Sequence, residues 1–171
     1  MAVKTSDFTN TLFGADLKEK VKNKLLFDAA AAKYKATEEK RKQSREEGRK
    51  KEEWRQYKSK YKVDKATAIS TLADILVKQW QDQTTQVGNL RDKGATAEEI
   101  QETEKALANI AELNNQKMLD NFRKVAIEYA AKMKEYTNGD LDVESEVQYV
   151  KTQAEDKFAK TKSSIFAELK Q

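Results

Sequence analysis

Residues 69–100 read ISTLADILVKQWQDQTTQVGNLRDKGATAEEI. Ile69, Ala73, Leu76, Trp80, Val87 and Leu90 fall at alternating steps of four and three, with polar Gln83 filling the remaining seam position. That spacing keeps an apolar seam on one side of a helix, as in helices that wrap around one another. The seam ends at Asp92-Lys93-Gly94. Thr96-Ala97-Glu98-Glu99 then starts a new helix with a capping box, in which Thr96 serves the backbone N–H of Glu99 and Glu99 reaches back to Thr96. A connection this short joins antiparallel neighbours.

The same grammar continues towards the C-terminus. The next helix is expected from Thr96 to about Tyr136, with the stripe Ile100, Leu107, Ile110, Ala111, Met118, Phe122, Val125, Tyr129, Met133 and Tyr136, interrupted at Asn114-Asn115-Gln116. Asn138-Gly139 stops it. Asp142 caps a last helix to about Leu169, striped by Val143, Val147, Val150, Ala154, Phe158, Ile165 and Leu169. Three helices joined by two tight turns form an up-down-up bundle. At 1.5 Å per residue the middle one is about 60 Å long and its neighbours about 40 Å. Its surplus length therefore needs a mate, either the apolar start of the first long helix or another subunit.

Upstream the pattern changes. A long helix is expected from about Asp16 to Lys62, opening on a modest stripe of Leu17, Val21, Leu25, Ala29 and Ala32. From Thr37 to Glu53 there is no apolar side chain apart from Gly48, so this stretch buries no face. It is supported instead by i,i+4 pairs such as Glu38–Lys42, Glu46–Lys50 and Glu47–Lys51, each contributing about 0.2–0.5 kcal/mol on an exposed helix. Trp54, Tyr57 and Tyr61 then fall on one face and return the chain to a packed environment. Residues 1–15 read as a leader whose apolar side chains are Phe8, Leu12 and Phe13, ended by Gly14. The expected architecture is all-α: an elongated antiparallel three-helix bundle over residues 63–171, a long charged helix over 16–62 and the leader before it.

Composition supports this and removes much chemistry. The 171 residues include no Pro, no Cys and no His, and only 38% are apolar against 36% charged. A compact domain usually runs at about 45–50% apolar, so a thin-cored bundle or an oligomer fits better than a globule. Without Cys there are no disulfides, thiolate nucleophiles or zinc fingers, and without His the usual neutral-pH base and the common metal-ligand sets are missing. No catalytic residue, metal site or cofactor site is expected, and no small-molecule substrate. Gly88 to Gly94 has the wrong order for a phosphate loop and follows no strand. Asn138 to Glu144 alternates oxygen ligands, but its glycine is misplaced for a calcium loop. No stretch approaches the ~20 apolar residues of a membrane span, and the charged helix has no apolar face for a bilayer surface, so membrane contact is not expected. The N-terminus lacks a secretion signal, so the expected location is the cytoplasm or the inside of a particle assembled there.

Charge is segregated. Residues 1–62 hold 18 basic and 10 acidic side chains, whereas residues 63–171 hold 15 basic and 19 acidic. Three readings follow. In the first, the chain is a non-enzymatic assembly protein, such as a virion or other particle component, that forms a homo-oligomer. The basic helix of one subunit then meets the acidic bundle of another, a contact between unlike surfaces that builds rings or filaments. In the second, residues 33–62 bind nucleic acid, with Lys and Arg on the phosphates and aromatics stacking on bases; interleaved Glu residues weaken that potential. In the third, the charged helix is a solvated spacer in a monomeric adaptor. The contact residues expected for assembly are Phe8, Leu12 and Phe13 as anchors and Trp54, Tyr57 and Tyr61 as an aromatic strip; the strip has intramolecular packing as its alternative. Lys40, Arg41, Arg45, Arg49, Lys50 and Lys51 form the electrostatic element, for an acidic partner surface or for nucleic acid.

Overall fold

The computed structural model describes residues 14–170. Three α-helices account for nearly all of them: α1 over Gly14–Asp92, α2 over Ala97–Thr137 and α3 over Val143–Leu169. There is no strand among the described residues. The anchors Phe8, Leu12 and Phe13 lie outside them. The chain divides into two compact units, Met1–Lys50 and Lys51–Gln171.

The second unit is an antiparallel three-helix bundle. Trp54 of α1 stacks with Tyr129 and Tyr136 of α2, Tyr61 with Phe122 and Tyr129, and Gln79 hydrogen-bonds Asn115. Numbers rise along α1 as they fall along α2, so these two run antiparallel. Tyr61 and Lys65 meet Glu146, Ser70 meets Lys157, and Trp80 meets Phe158 and Phe166, so α1 and α3 run parallel. Leu72, Ala73, Leu119, Phe122, Ala126, Val147, Val150 and Ala154 form the buried centre. Four of the core positions are alanines, Ala68, Ala73, Ala126 and Ala154, which let the backbones approach closely.

Both turns are built as their residues require. Thr96 Oγ1 accepts from the Glu99 N–H at 3.2 Å, and Glu99 accepts from the Thr96 N–H at 2.9 Å. Gly94 takes φ +76°, a conformation natural to glycine. Asn138 closes α2 in the left-handed region at φ 56° and donates its N–H to the Lys134 carbonyl. Asp142 accepts from the Ser145 N–H at the start of α3. Thr96→Ala is therefore expected to cost about 1 kcal/mol, read as a lower urea midpoint with an unchanged m value.

Three details differ from the expectation. The expected boundary between the charged helix over 16–62 and the bundle over 63–171 is not a helix end, because α1 runs through this point without a break. Tyr61 to Lys65 contains no Gly or Pro; only the hydrophobic pattern changes there, and that leaves the backbone hydrogen bonds of a helix intact. The mate for the surplus length of α2 is accordingly residues 54–61 of α1, opposite Tyr129 and Tyr136. Finally, the buried face is shifted from the stripes. Ala68 and Leu72 join Ala73 on α1, and Leu119 and Ala126 join Phe122 on α2, while Ile110 is 57% and Leu169 77% exposed. A helix touching two neighbours needs two adjacent seams, whereas a single 3–4 stripe describes one.

In the first unit, residues 14–50 are helical throughout and no side chain is buried. Glu46 and Lys50 approach to 3.9 Å and Asp16 and Lys20 to 3.2 Å, the one-turn ion pairs that support such a helix.

Candidate functional site

The aromatic strip lies inside the second unit. Tyr61 lies almost flat on Tyr129, with centroids 3.9 Å apart and planes 3° from parallel. Trp54 stacks on the same Tyr129 at 5.4 Å, and Tyr57 tilts against Tyr136 at 6.0 Å. The strip is thus engaged with α2 of its own chain, the intramolecular alternative of the sequence reading. A groove of about 320 Å³ runs beside it, lined by Tyr57, Lys60, Tyr61, Asp64, Glu128 and Lys132 among others.

Beneath the stack, Tyr61 Oη donates to Glu146 at 2.7 Å, and Lys65 Nζ approaches the same carboxylate at 2.6 Å. Burial, then the hydrogen bond to Glu146, push the Tyr61 phenol far above its ordinary range, so Tyr61 stays the donor. Partial burial pulls the Glu146 carboxyl upward, but the hydrogen bonds from Lys65 and Tyr61 and the Lys65 charge outweigh it and hold the group below its ordinary value. At the end of the strip, Tyr136 Oη donates to Glu53 at 2.7 Å. Arg123 grips Glu144 with two nitrogens at 2.7 and 3.2 Å and also pairs with Asp120, fixing α2 to the start of α3. These contacts set register between helices. The sequence hides them because their partners lie up to 85 residues apart.

The electrostatic element is placed differently. Lys40, Arg41, Arg45, Arg49 and Lys50 lie on the fully exposed stretch of the first unit, and Lys51 is exposed at the start of the second. Helical periodicity sorts the charges of residues 33–50. Lys33, Tyr34, Lys40, Arg41 and Arg45 share an arc of about 140° that contains no carboxylate. Glu38, Glu39, Glu46 and Glu47 fall outside that arc. Glu39 and Glu46 lie opposite it, while Glu38 and Glu47 border its two edges.

The N-terminal part of the same helix is apolar and uncovered. Leu17, Val21, Leu25, Leu26 and Phe27 are each more than half exposed. Leu17, Val21 and Leu25 lie one turn apart along one face, in a shallow groove flanked by Lys18 and Lys22. Leu25, Leu26 and Phe27 point to three sides, with Asp28 between them and the run Ala29 to Ala32.

No helix among the described residues is long and apolar enough to cross a membrane. Among the same residues no group of three or more carboxylates is arranged to hold a metal ion. No protein-family model, curated protein or solved structure matches the chain.

Proposed function

We propose that this chain is a non-enzymatic structural protein that assembles with copies of itself, and that residues 14–32 of α1 supply one side of the contact. The observation that carries this reading is the uncovered apolar segment: Leu17, Val21, Leu25, Leu26 and Phe27 are held on a formed helix, with no buried side chain among the described residues of their own unit. Covering such surface contributes about 25 cal/mol per Å², and clustered apolar exposure of this kind marks an interaction site. The register contacts around Tyr61, Glu146 and Arg123 fit a scaffold that must hold its shape rather than a site that turns over a substrate.

Light scattering on the untagged protein during size exclusion tests this, at low and high salt. A discrete multiple of 19.6 kDa is expected. A monomer of that mass under both conditions would exclude self-assembly.

A second reading is nucleic-acid binding, favoured by the carboxylate-free arc with Lys33, Lys40, Arg41 and Arg45 around Tyr34. It predicts excess absorbance at 260 nm in the eluted protein, released as salt rises. Lys40→Glu, Arg41→Glu and Arg45→Glu together are then expected to abolish binding to DNA or RNA at moderate salt.

A further inference from the structure

One exposed face of α1 changes size along its length. Leu17, Val21, Leu25, Ala29, Ala32 and Ala36 share an arc of about 120° around the helix, and every one of them is exposed. The first three are large and the last three are alanines. Asp28 stands on the same arc, and Lys24, one turn before it, borders the arc on the Asp28 side. Neither has an ion-pair partner among the described residues, whereas Lys20 is engaged by Asp16 at 3.2 Å. Lys18 and Lys35 stand on the arc near its two ends along the helix.

We propose that this face pairs with the same face of a second copy, antiparallel, about a two-fold axis level with residues 26 and 27. This deepens the assembly reading and rests on it. The distance between packed helices follows the side chains at their contact, so an even contact along a tapering face needs large against small. The antiparallel arrangement sets Leu17 against Ala36, Val21 against Ala32 and Leu25 against Ala29 of the second copy, over about 28 Å of helix. A parallel arrangement in register would set leucine against leucine and alanine against alanine, and the helices would splay. Charge makes the same choice. The two-fold axis brings each edge of the face against the same edge of the second copy, so Asp28 of each copy meets Lys24 of the other. In the parallel arrangement two Asp28 carboxylates would meet across the seam. Exposed ion pairs contribute little affinity; here they select the direction of pairing. Lys18 and Lys35 fall opposite Ala36 and Leu17 of the second copy, where their stems extend the apolar contact and their ammonium groups stay in water. The same patch serves on both copies, so the contact closes as a dimer and does not extend into a filament.

The test combines mass, crosslinking and charge exchange. Light scattering is expected to give twice 19.6 kDa for the native chain. Because the chain has no Cys, single-cysteine variants read the direction of pairing. Val21→Cys mixed with Ala32→Cys is expected to form the mixed disulfide under mild oxidation. Each variant alone is expected to form none, because its two cysteines lie about 16 Å apart along the axis. Asp28→Lys is expected to weaken self-association at least tenfold, and Lys24→Asp combined with Asp28→Lys is expected to restore it. All four positions are exposed, and circular dichroism checks that each variant keeps its helices. A larger discrete oligomer, a Val21→Cys self-disulfide in place of the mixed one, native-like association of Asp28→Lys, or no recovery in the exchanged variant would overturn the pairing while leaving self-assembly standing. A native chain that is itself monomeric would remove both.

Discussion

Phe122→Ala is expected to cost the bundle about 3–5 kcal/mol, the largest single-residue loss in this protein. Phe122 is 3% exposed, lies 6.1 Å from the Tyr61 ring, and belongs to the buried cluster that all three helices share. The same buried cluster contains Ala68, Ala73, Ala126 and Ala154, whose short side chains cannot swing in to fill a ring-sized void. The cost is therefore the lost transfer energy plus a persistent cavity. At about 2–4 °C per kcal/mol for a chain of this size, the melting midpoint followed by circular dichroism should fall by about 6–20 °C. A loss under 1 kcal/mol would mean that Phe122 is not enclosed by the three helices.

Glu146→Ala is expected to cost about 1–3 kcal/mol and to remove an acid-dependent component of stability. The substitution leaves the Tyr61 hydroxyl and the Lys65 ammonium half-buried without the acceptor they share, and an orphaned polar group costs about that much. In the native chain the carboxyl of Glu146 is held below its ordinary value of 4.5. At pH values between the folded and the unfolded value, the unfolded chain binds more protons at this group than the folded chain does. Its contribution is thus fully present above pH 4.5 and fades as pH falls through the lower, folded value. Urea unfolding from pH 7 down to pH 3 should show a smaller decline for Glu146→Ala than for the native chain. Equal slopes would show that Glu146 titrates alike in both states.

The aromatic strip illustrates how far one-dimensional reasoning carries. Trp54, Tyr57 and Tyr61 stand on one helical face in the sequence itself, and that face does meet a partner. The partner's identity was open between another subunit and the same chain. It became visible only when the antiparallel turn at Gly94 brought Tyr129 and Tyr136 beside them. The carboxylate-free arc of residues 33–50 is the opposite case. Every charge in it is present in the sequence, yet reading along the chain mixes signs that helical periodicity separates.

The sequence by itself determined the local structure: helix throughout, the capping box at Thr96, the stop at Asn138 and the cap at Asp142. These depend on residues within one or two turns of each other, and absence of Pro leaves nothing to interrupt them. Tertiary structure alone decided which faces are covered. That Ala68, Leu119 and Ala126 are core while Ile110 is not, and that Tyr61 and Lys65 share Glu146, depend on how three helices set their mutual rotation. That rotation comes from packing two seams at once and from partners far apart in the chain, and a period of 3.6 residues carries no information about either.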